Sequence, residues 1–201
     1  MKTVTYEEFL EFNSSWAGGT AHVKAYFDRF GGSVSALDIL NLNDVSAEDK
    51  LWSVLREEFI PAPILHEFAC VCAEYALTLI DSPDPRSVKA IEVKRAWMRG
   101  EATDEERAAA LDAASEAVRE AAAWAAPGAW AASEAAGYAA SAAASAAARY
   151  AAWAASDAAW AACDAAWHTK AASDATCEAL AAYLIMALEE EKGKQSLTKN
   201  F

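Results

Sequence analysis

The chain has 201 residues, 55% of them apolar, and a formal net charge of −13. This length suits one ordinary domain, or two small ones, with a buried core. Charged residues interrupt each apolar stretch before it reaches about 18 residues, so a transmembrane helix is not expected. The amino-terminal sequence MKTVTYEEFLEF lacks the basic start and apolar core of a secretory signal, which predicts a cytoplasmic protein.

The negative charge is concentrated in the second half of the chain. Residues 1–100 carry a net charge of −5, residues 101–191 carry −11, and the last ten residues carry +3. Such a charge disfavours contact with nucleic acid or an anionic membrane and favours a protein partner with a basic surface. The alternative is that the carboxylates only keep an alanine-rich bundle in solution.

Capping residues, glycines and prolines predict a succession of helices along the whole chain. Thr5 with Glu8, and Thr103 with Glu106, have the spacing of a capping box. In chain order the predicted helical segments are 5–12, 20–30, 35–40, 46–59, 63–80, 86–100, 103–126, 129–167 and 173–191.

Two of these segments have apolar stripes that we expect to lie in the core. The apolar residues recur every three or four positions, as on one face of a helix. The segment 63–80 is predicted to be the central core helix, with the stripe Ile64, Phe68, Cys72, Tyr75 and Leu79. The segment 46–59 has the stripe Leu51, Trp52, Leu55 and Phe59.

These features together predict an all-α fold. We expect a single helical bundle of about seven to eight helices, with long, closely packed Ala-rich helices in the C-terminal half. Residues 121–170 include 28 alanines, and alanine is the best helix former. Within this single domain we distinguish a conventional helical part (1–100), an acidic Ala-rich part (101–191) and a flexible tail (192–201).

A regular set of aromatic and acidic residues lies in the predicted helix 129–167. On a helical wheel they share one side, while the opposite side is alanine. The members of this Trp/Asp ridge are Tyr150, Trp153, Asp157, Trp160, Asp164 and Trp167. Tryptophan and tyrosine dominate binding hot spots, so one interpretation is an exposed partner-binding surface. The other is that the rings pack against the N-terminal helices, with both aspartates at the edge of the core.

Motifs for catalysis or for a cofactor are not found in the sequence, and we expect neither an enzyme nor a bound cofactor. His66 and Cys70 lie four residues apart on one predicted helix face, but the second histidine of a zinc-protease motif is missing, so no metal site is expected. The four cysteines are predicted to be reduced and buried, as is usual in the cytosol.

One stretch resembles a known family. The sequence ILHEFACVCAEYALTLIDSPDPRSVKAIEVKRAWMRGEATDEERAAALDAASEA, followed by an alanine-rich tail with Trp, Tyr and Asp at intervals, resembles a family of immunity proteins found in bacterial and phage genomes. The resemblance covers roughly residues 35 to 170, and the shared order is a cysteine-containing helix, DPRS, a helix ending in RGEATDEE, and alanine low complexity. It implies a protein that binds and blocks a toxin or effector, and it identifies no catalytic residues.

Three hypotheses for the function follow. The first is a non-enzymatic inhibitor, either an immunity protein or a phage-encoded inhibitor of a host-defence effector. The second is a structural protein that assembles with copies of itself through closely packed alanine faces. The third is an acidic mimic of nucleic acid, which ranks last because only Asp157 and Asp164 are regularly spaced in the alanine tract.

Overall fold

The computed structural model describes residues 2–12, 19–78, 82–124 and 170–198. Within these ranges the fold is all-α, with eight helices and one small sheet. In chain order the elements are β1 (Thr3–Thr5), α1 (Tyr6–Phe12), α2 (Gly19–Arg29), β2 (Ser33–Ser35), α3 (Ala36–Leu40), α4 (Ala47–Val54), α5 (Ala62–Thr78), α6 (Pro85–Met98), α7 (Asp104–Trp124) and α8 (Lys170–Thr198).

Both predicted capping boxes are present. The Thr5 amide donates to Glu8 Oε2 at 2.8 Å, and the Glu8 amide donates back to Thr5 Oγ1 at 3.3 Å. Thr103 and Glu106 make the same reciprocal pair at 2.8 and 3.1 Å. These bonds satisfy amide donors that the first helical turn leaves without partners, and they begin α1 and α7 where the sequence predicts.

The small antiparallel sheet is not foreseen by the sequence analysis. Val4 of β1 pairs with Val34 of β2, and both side chains are buried. Three-residue strands are too short to show the alternation that identifies a strand in a sequence. Gly31 and Gly32, both with positive φ, end α2 and turn the chain into β2.

The prediction of a helix over residues 46–59 is wrong at the C-terminal end. Ser46 caps α4 as predicted, but the helix ends at Val54, and Phe59 and Ile60 instead donate turn hydrogen bonds to the Arg56 carbonyl. Pro61 disfavours the helical conformation at the residue before it. Leaving the helix early lets the chain bury both Phe59 and Ile60.

The last helix is longer than predicted at both ends. It begins at Lys170, so Ser173 lies inside the helix and is not its cap, and it continues past Glu191 through residues 192–198, where the sequence predicts a flexible tail. Two side-chain pairs one turn apart support the extension: Lys194 with Glu190 at 2.8 Å, and Gln195 with Glu191 at 3.1 Å.

Helix α5 is the central core helix, as predicted, but it is buried over more of its surface than one stripe. Its buried positions are Leu65, His66, Phe68, Ala69, Cys70, Cys72, Ala73, Ala76 and Leu77. Ile64 and Tyr75 of the predicted stripe are only half-buried, and Leu79 lies outside the described residues. One hydrophobic cluster joins this helix to the N-terminal elements and to Leu184 and Leu188 of α8.

Helices α5, α6 and α7 form a layer in which α6 contacts both neighbours. None of the helices in the described ranges combines the length and the apolar character that crossing a membrane requires.

Candidate functional site

The predicted Trp/Asp ridge lies outside the described residues. All six of its members, Tyr150, Trp153, Asp157, Trp160, Asp164 and Trp167, belong to the segment 125–169, between the end of α7 and the start of α8. Its role as a binding surface or as core packing therefore stays a prediction. The predicted helix 129–167 lies in the same segment.

The described residues provide a different candidate, a groove between α5 and α6 with a volume of about 640 Å³. This volume falls within the range of ligand-binding clefts. The described residues that line this α5–α6 groove are Glu74, Leu77, Thr78, Pro83, Val88, Ile91, Glu92, Arg95 and Arg99. None of them is a site residue predicted from the sequence, although the spacing of Val88, Ile91, Arg95 and Arg99 places these four on one helical face.

The groove has an apolar floor and a charged rim. Leu77 from α5 and Ile91 from α6 are buried at its base. Val88 is 38% exposed, and it is one of few large apolar side chains in the described ranges that are exposed to this extent. An exposed apolar side chain beside a buried apolar floor gives a partner a place to bury its own apolar groups.

At the rim of the groove, Arg95 of α6 forms ion pairs with two carboxylates of α5. Its guanidinium donates to Glu67 at 2.7 Å and to Glu74 Oε2 at 2.9 Å, with a further short bond to Glu74 Oε1. These hydrogen bonds, first to Glu74 and then to Glu67, raise the pKa of Arg95 well above its ordinary value. Arg95 therefore links α6 to α5, and its charge is balanced within the protein.

The remaining rim charges are exposed and paired locally. Lys89 Nζ lies 3.0 Å from Glu92 Oε2, and Arg99 Nη2 lies 2.6 Å from Glu101 Oε2. With the Arg95 pairs included, the rim and its immediate neighbours contain four carboxylates and three cations. The lining itself has two carboxylates and two arginines, and the surplus of one negative charge appears when the ion-pair partners Glu67, Lys89 and Glu101 are included.

A second feature, the Trp97 cluster, lies where α5, α6 and α7 meet. Lys94 Nζ lies 4.2 Å from the centroid of the Trp97 ring, and Arg107 Cζ lies 5.0 Å from it. The His66 ring meets the indole edge-on at 5.6 Å. The indole Nε1 donates to Asp104 Oδ1 at 3.0 Å, which holds the ring in place. These cation–π contacts stabilise cations that burial would otherwise disfavour.

Burial and mutual repulsion control the protonation of this cluster. Desolvation, followed by the charges of Lys94 and Arg107, lowers the pKa of His66 to about 4. The imidazole is therefore neutral at pH 7, and both of its nitrogens are buried without a hydrogen-bond partner. Desolvation, followed by the charge of Arg107, lowers the pKa of Lys94 to about 8.

The residues around His66 and Cys70 do not form a metal site, although the spacing of these two residues resembles part of a zinc motif. A metal cation beside His66 would be repelled by Lys94 and Arg107. Burial also raises the pKa of Cys70 to about 12, which disfavours the thiolate that binds metal. Within the described ranges, no group of three or more His, Cys, Asp or Glu side chains is arranged to hold a metal ion.

The cysteine prediction is confirmed for two residues and wrong for a third. Cys70 and Cys72 are free and buried. Cys177 is disulfide-bonded, and its partner is not among the described residues. Cys163 also lies outside them. The cytoplasmic location stays a prediction from the sequence.

No family model, curated protein or solved structure matches this chain. The resemblance to immunity proteins rests on the residues quoted above and stays a prediction.

Proposed function

We propose that this protein is a non-enzymatic inhibitor that binds another protein with a basic surface and blocks it. The observation that carries the proposal is the net charge of −13 on an all-α protein whose α5–α6 groove has an apolar floor. Complementary charge accelerates association and selects partners, while apolar burial in the contact supplies affinity. The resemblance to immunity proteins favours a toxin or a host-defence effector as the target.

The proposed partner is a protein and not nucleic acid or a membrane. Phosphate-rich surfaces are repelled by a strongly acidic protein, whereas a basic protein surface is attracted to it. The complex is expected to weaken as salt is added, because salt screens exposed charges over about 8–10 Å at physiological ionic strength.

A capture experiment tests the proposal and the Trp/Asp ridge together. Wild-type protein and the double variant Trp153→Ala/Trp160→Ala serve as baits in lysate of a candidate host cell, with captured proteins identified by mass spectrometry. We expect wild type to retain a basic protein and the variant to lose it, because aromatic side chains dominate hot spots.

Circular dichroism and thermal melting provide the control for this experiment. A variant that keeps wild-type helicity and loses the partner supports the ridge as a binding surface. A variant that unfolds shows instead that the rings are core. If a purified candidate toxin remains fully active with excess wild-type protein present, the inhibitor proposal fails for that target.

Self-association is a second candidate, favoured by one observation on α8. Ala175, Ala179, Ala182 and Met186 are all exposed and follow one another at steps of four, three and four. Met186 is 63% exposed, which is unusual for a large apolar side chain. Small residues on such a stripe permit close approach of a second helix. Light scattering is expected to show a concentration-dependent oligomer that Met186→Glu disrupts; a monomer at all concentrations contradicts this candidate.

A further inference from the structure

We propose that the α5–α6 groove is the docking site for a basic amphipathic helix of the partner protein. This inference rests on the proposed function, because it names the partner element that the inhibitor would bind. It assigns the contact to a part of the chain separate from the Trp/Asp ridge.

The shape of the groove fits a helix. The lining residues of α6 and its C-cap run from Val88 to Arg99 on one face, which corresponds to about 16 Å, or three helical turns. Leu77, Thr78 and Glu74 line the opposite wall from α5. An amphipathic helix of three to four turns places its apolar anchors at intervals of three or four residues along such a trough.

The apolar residues of the groove define where those anchors bind. Ile91 and Leu77 form the buried floor, and Pro83 and Val88 lie toward the N-terminal end of α6. Val88 is the exposed member, so a helix that covers it removes apolar surface from water on both partners. The interaction therefore depends on Val88 more than on any exposed apolar side chain elsewhere.

The charges around the groove favour a basic occupant over an acidic one. Arg95 is held by two carboxylates, Glu67 and Glu74, so it is already neutralised. Glu92 is 61% exposed and contacts Lys89 through only one of its two carboxylate oxygens. Its second oxygen is open to a lysine or arginine from the partner, whereas an acidic helix would meet a surplus of carboxylates.

A pair of synthetic peptides provides a direct test that needs no knowledge of the natural partner. The first is a helix of about 14 residues, long enough for the groove, with leucine at intervals of three and four and lysine on both sides of that stripe. The second has glutamate in place of every lysine. Fluorescence anisotropy measures the affinity of each labelled peptide for the full-length protein.

Two protein variants with the same change in charge separate docking in the groove from general electrostatic attraction. Val88→Arg and Phe30→Arg each add one positive charge at an apolar position of similar exposure, but only Val88 is in the groove. We expect Val88→Arg to weaken binding of the lysine peptide about tenfold or more, and Phe30→Arg to change it by less than about twofold. Circular dichroism checks that both variants remain folded.

Three outcomes would overturn the inference. Equal weakening by Val88→Arg and Phe30→Arg shows that the peptide responds only to net charge. Equal or tighter binding of the glutamate peptide shows that the charge preference is wrong. Absence of binding by wild-type protein, with the peptide helical in solution, shows that the groove does not accept a helix.

The two proposals can fail separately. If the lysine peptide binds and responds to Val88→Arg while no toxin or effector is inhibited, the docking site stands and the inhibitor function fails. If an inhibited partner is found whose affinity is unchanged by Val88→Arg, the inhibitor function stands and the docking site fails.

Discussion

Acidification from pH 7 to pH 4 is expected to reduce the free energy of unfolding by about 3 kcal/mol through His66 alone. The pKa of this buried histidine is about 4 in the folded protein, compared with an ordinary value of 6.5. Between these two pH values the unfolded chain binds a proton that the folded protein does not. Stability is therefore complete above pH 6.5 and is lost as the pH falls toward 4.

The physical cause is the position of the imidazole in the Trp97 cluster. A protonated His66 would be buried next to Lys94 and Arg107, two further cations that enter from α6 and α7. Asp104, which receives hydrogen bonds from Trp97 and Arg107, is the carboxylate of the cluster. Protonation of the imidazole thus adds a charge at a place that already has two positive groups, at a high desolvation cost.

The measurement is urea unfolding of wild type and His66→Phe between pH 4 and pH 8. Phenylalanine keeps an aromatic ring against Trp97 and does not titrate. Exposed carboxylates contribute equally to both proteins, so they cancel in the difference between the two stabilities. We expect this difference to be constant above pH 7 and to shift by about 3 kcal/mol in favour of the variant by pH 4. Parallel curves over the whole range would show that His66 is not buried between cations.

Lys94 is expected to have an effect of similar size at alkaline pH. Its side chain is fully buried, and its pKa is about 8, compared with an ordinary value of 10.5. Between pH 8 and pH 10.5 the unfolded chain retains a proton that the folded protein has released. The contribution of Lys94 to stability therefore rises by about 3 kcal/mol as the pH increases through this window.

The variant Lys94→Met tests this expectation because methionine has a similar length and no charge. At pH 7 the variant avoids burying an ammonium group, and the stability of wild type relative to the variant should increase by about 3 kcal/mol between pH 7.5 and pH 10.5. Lys89→Met, an exposed position on the same helix, is the matched control. A pH-independent difference between wild type and Lys94→Met would contradict the lowered pKa.

Together the two experiments test whether the buried His66 and Lys94 of the Trp97 cluster lower the free energy of unfolding. Desolvation disfavours the charged form of both His66 and Lys94, and contact with the indole offsets part of that cost for the Lys94 ammonium. A protein that keeps such groups buried does so at the expense of stability. The cluster also joins three helices, one of which, α6, forms a wall of the proposed docking groove.

A site built from residues distant in sequence is harder to predict from the sequence than one built from neighbouring residues. The Trp/Asp ridge is a prediction that sequence alone permits, because its residues are close in sequence and repeat at regular intervals. The α5–α6 groove was missed because its walls come from residues 74–78 and 83–99, which become neighbours only when the two helices pack. Arg95 illustrates the point, since nothing in its local sequence indicates that Glu67 and Glu74 neutralise it.

The sequence by itself determined the all-α class, the acidic charge and the helix starts at Thr5, Ser35, Ser46 and Thr103. These features depend on composition or on hydrogen bonds between residues three positions apart, so the local sequence is enough to indicate them. Only the tertiary structure decided the pairing of Val4 with Val34, the early end of α4, the groove, and the burial of His66 and Lys94 around Trp97. Each of these depends on contacts between distant residues, and burial and pKa are properties of those contacts.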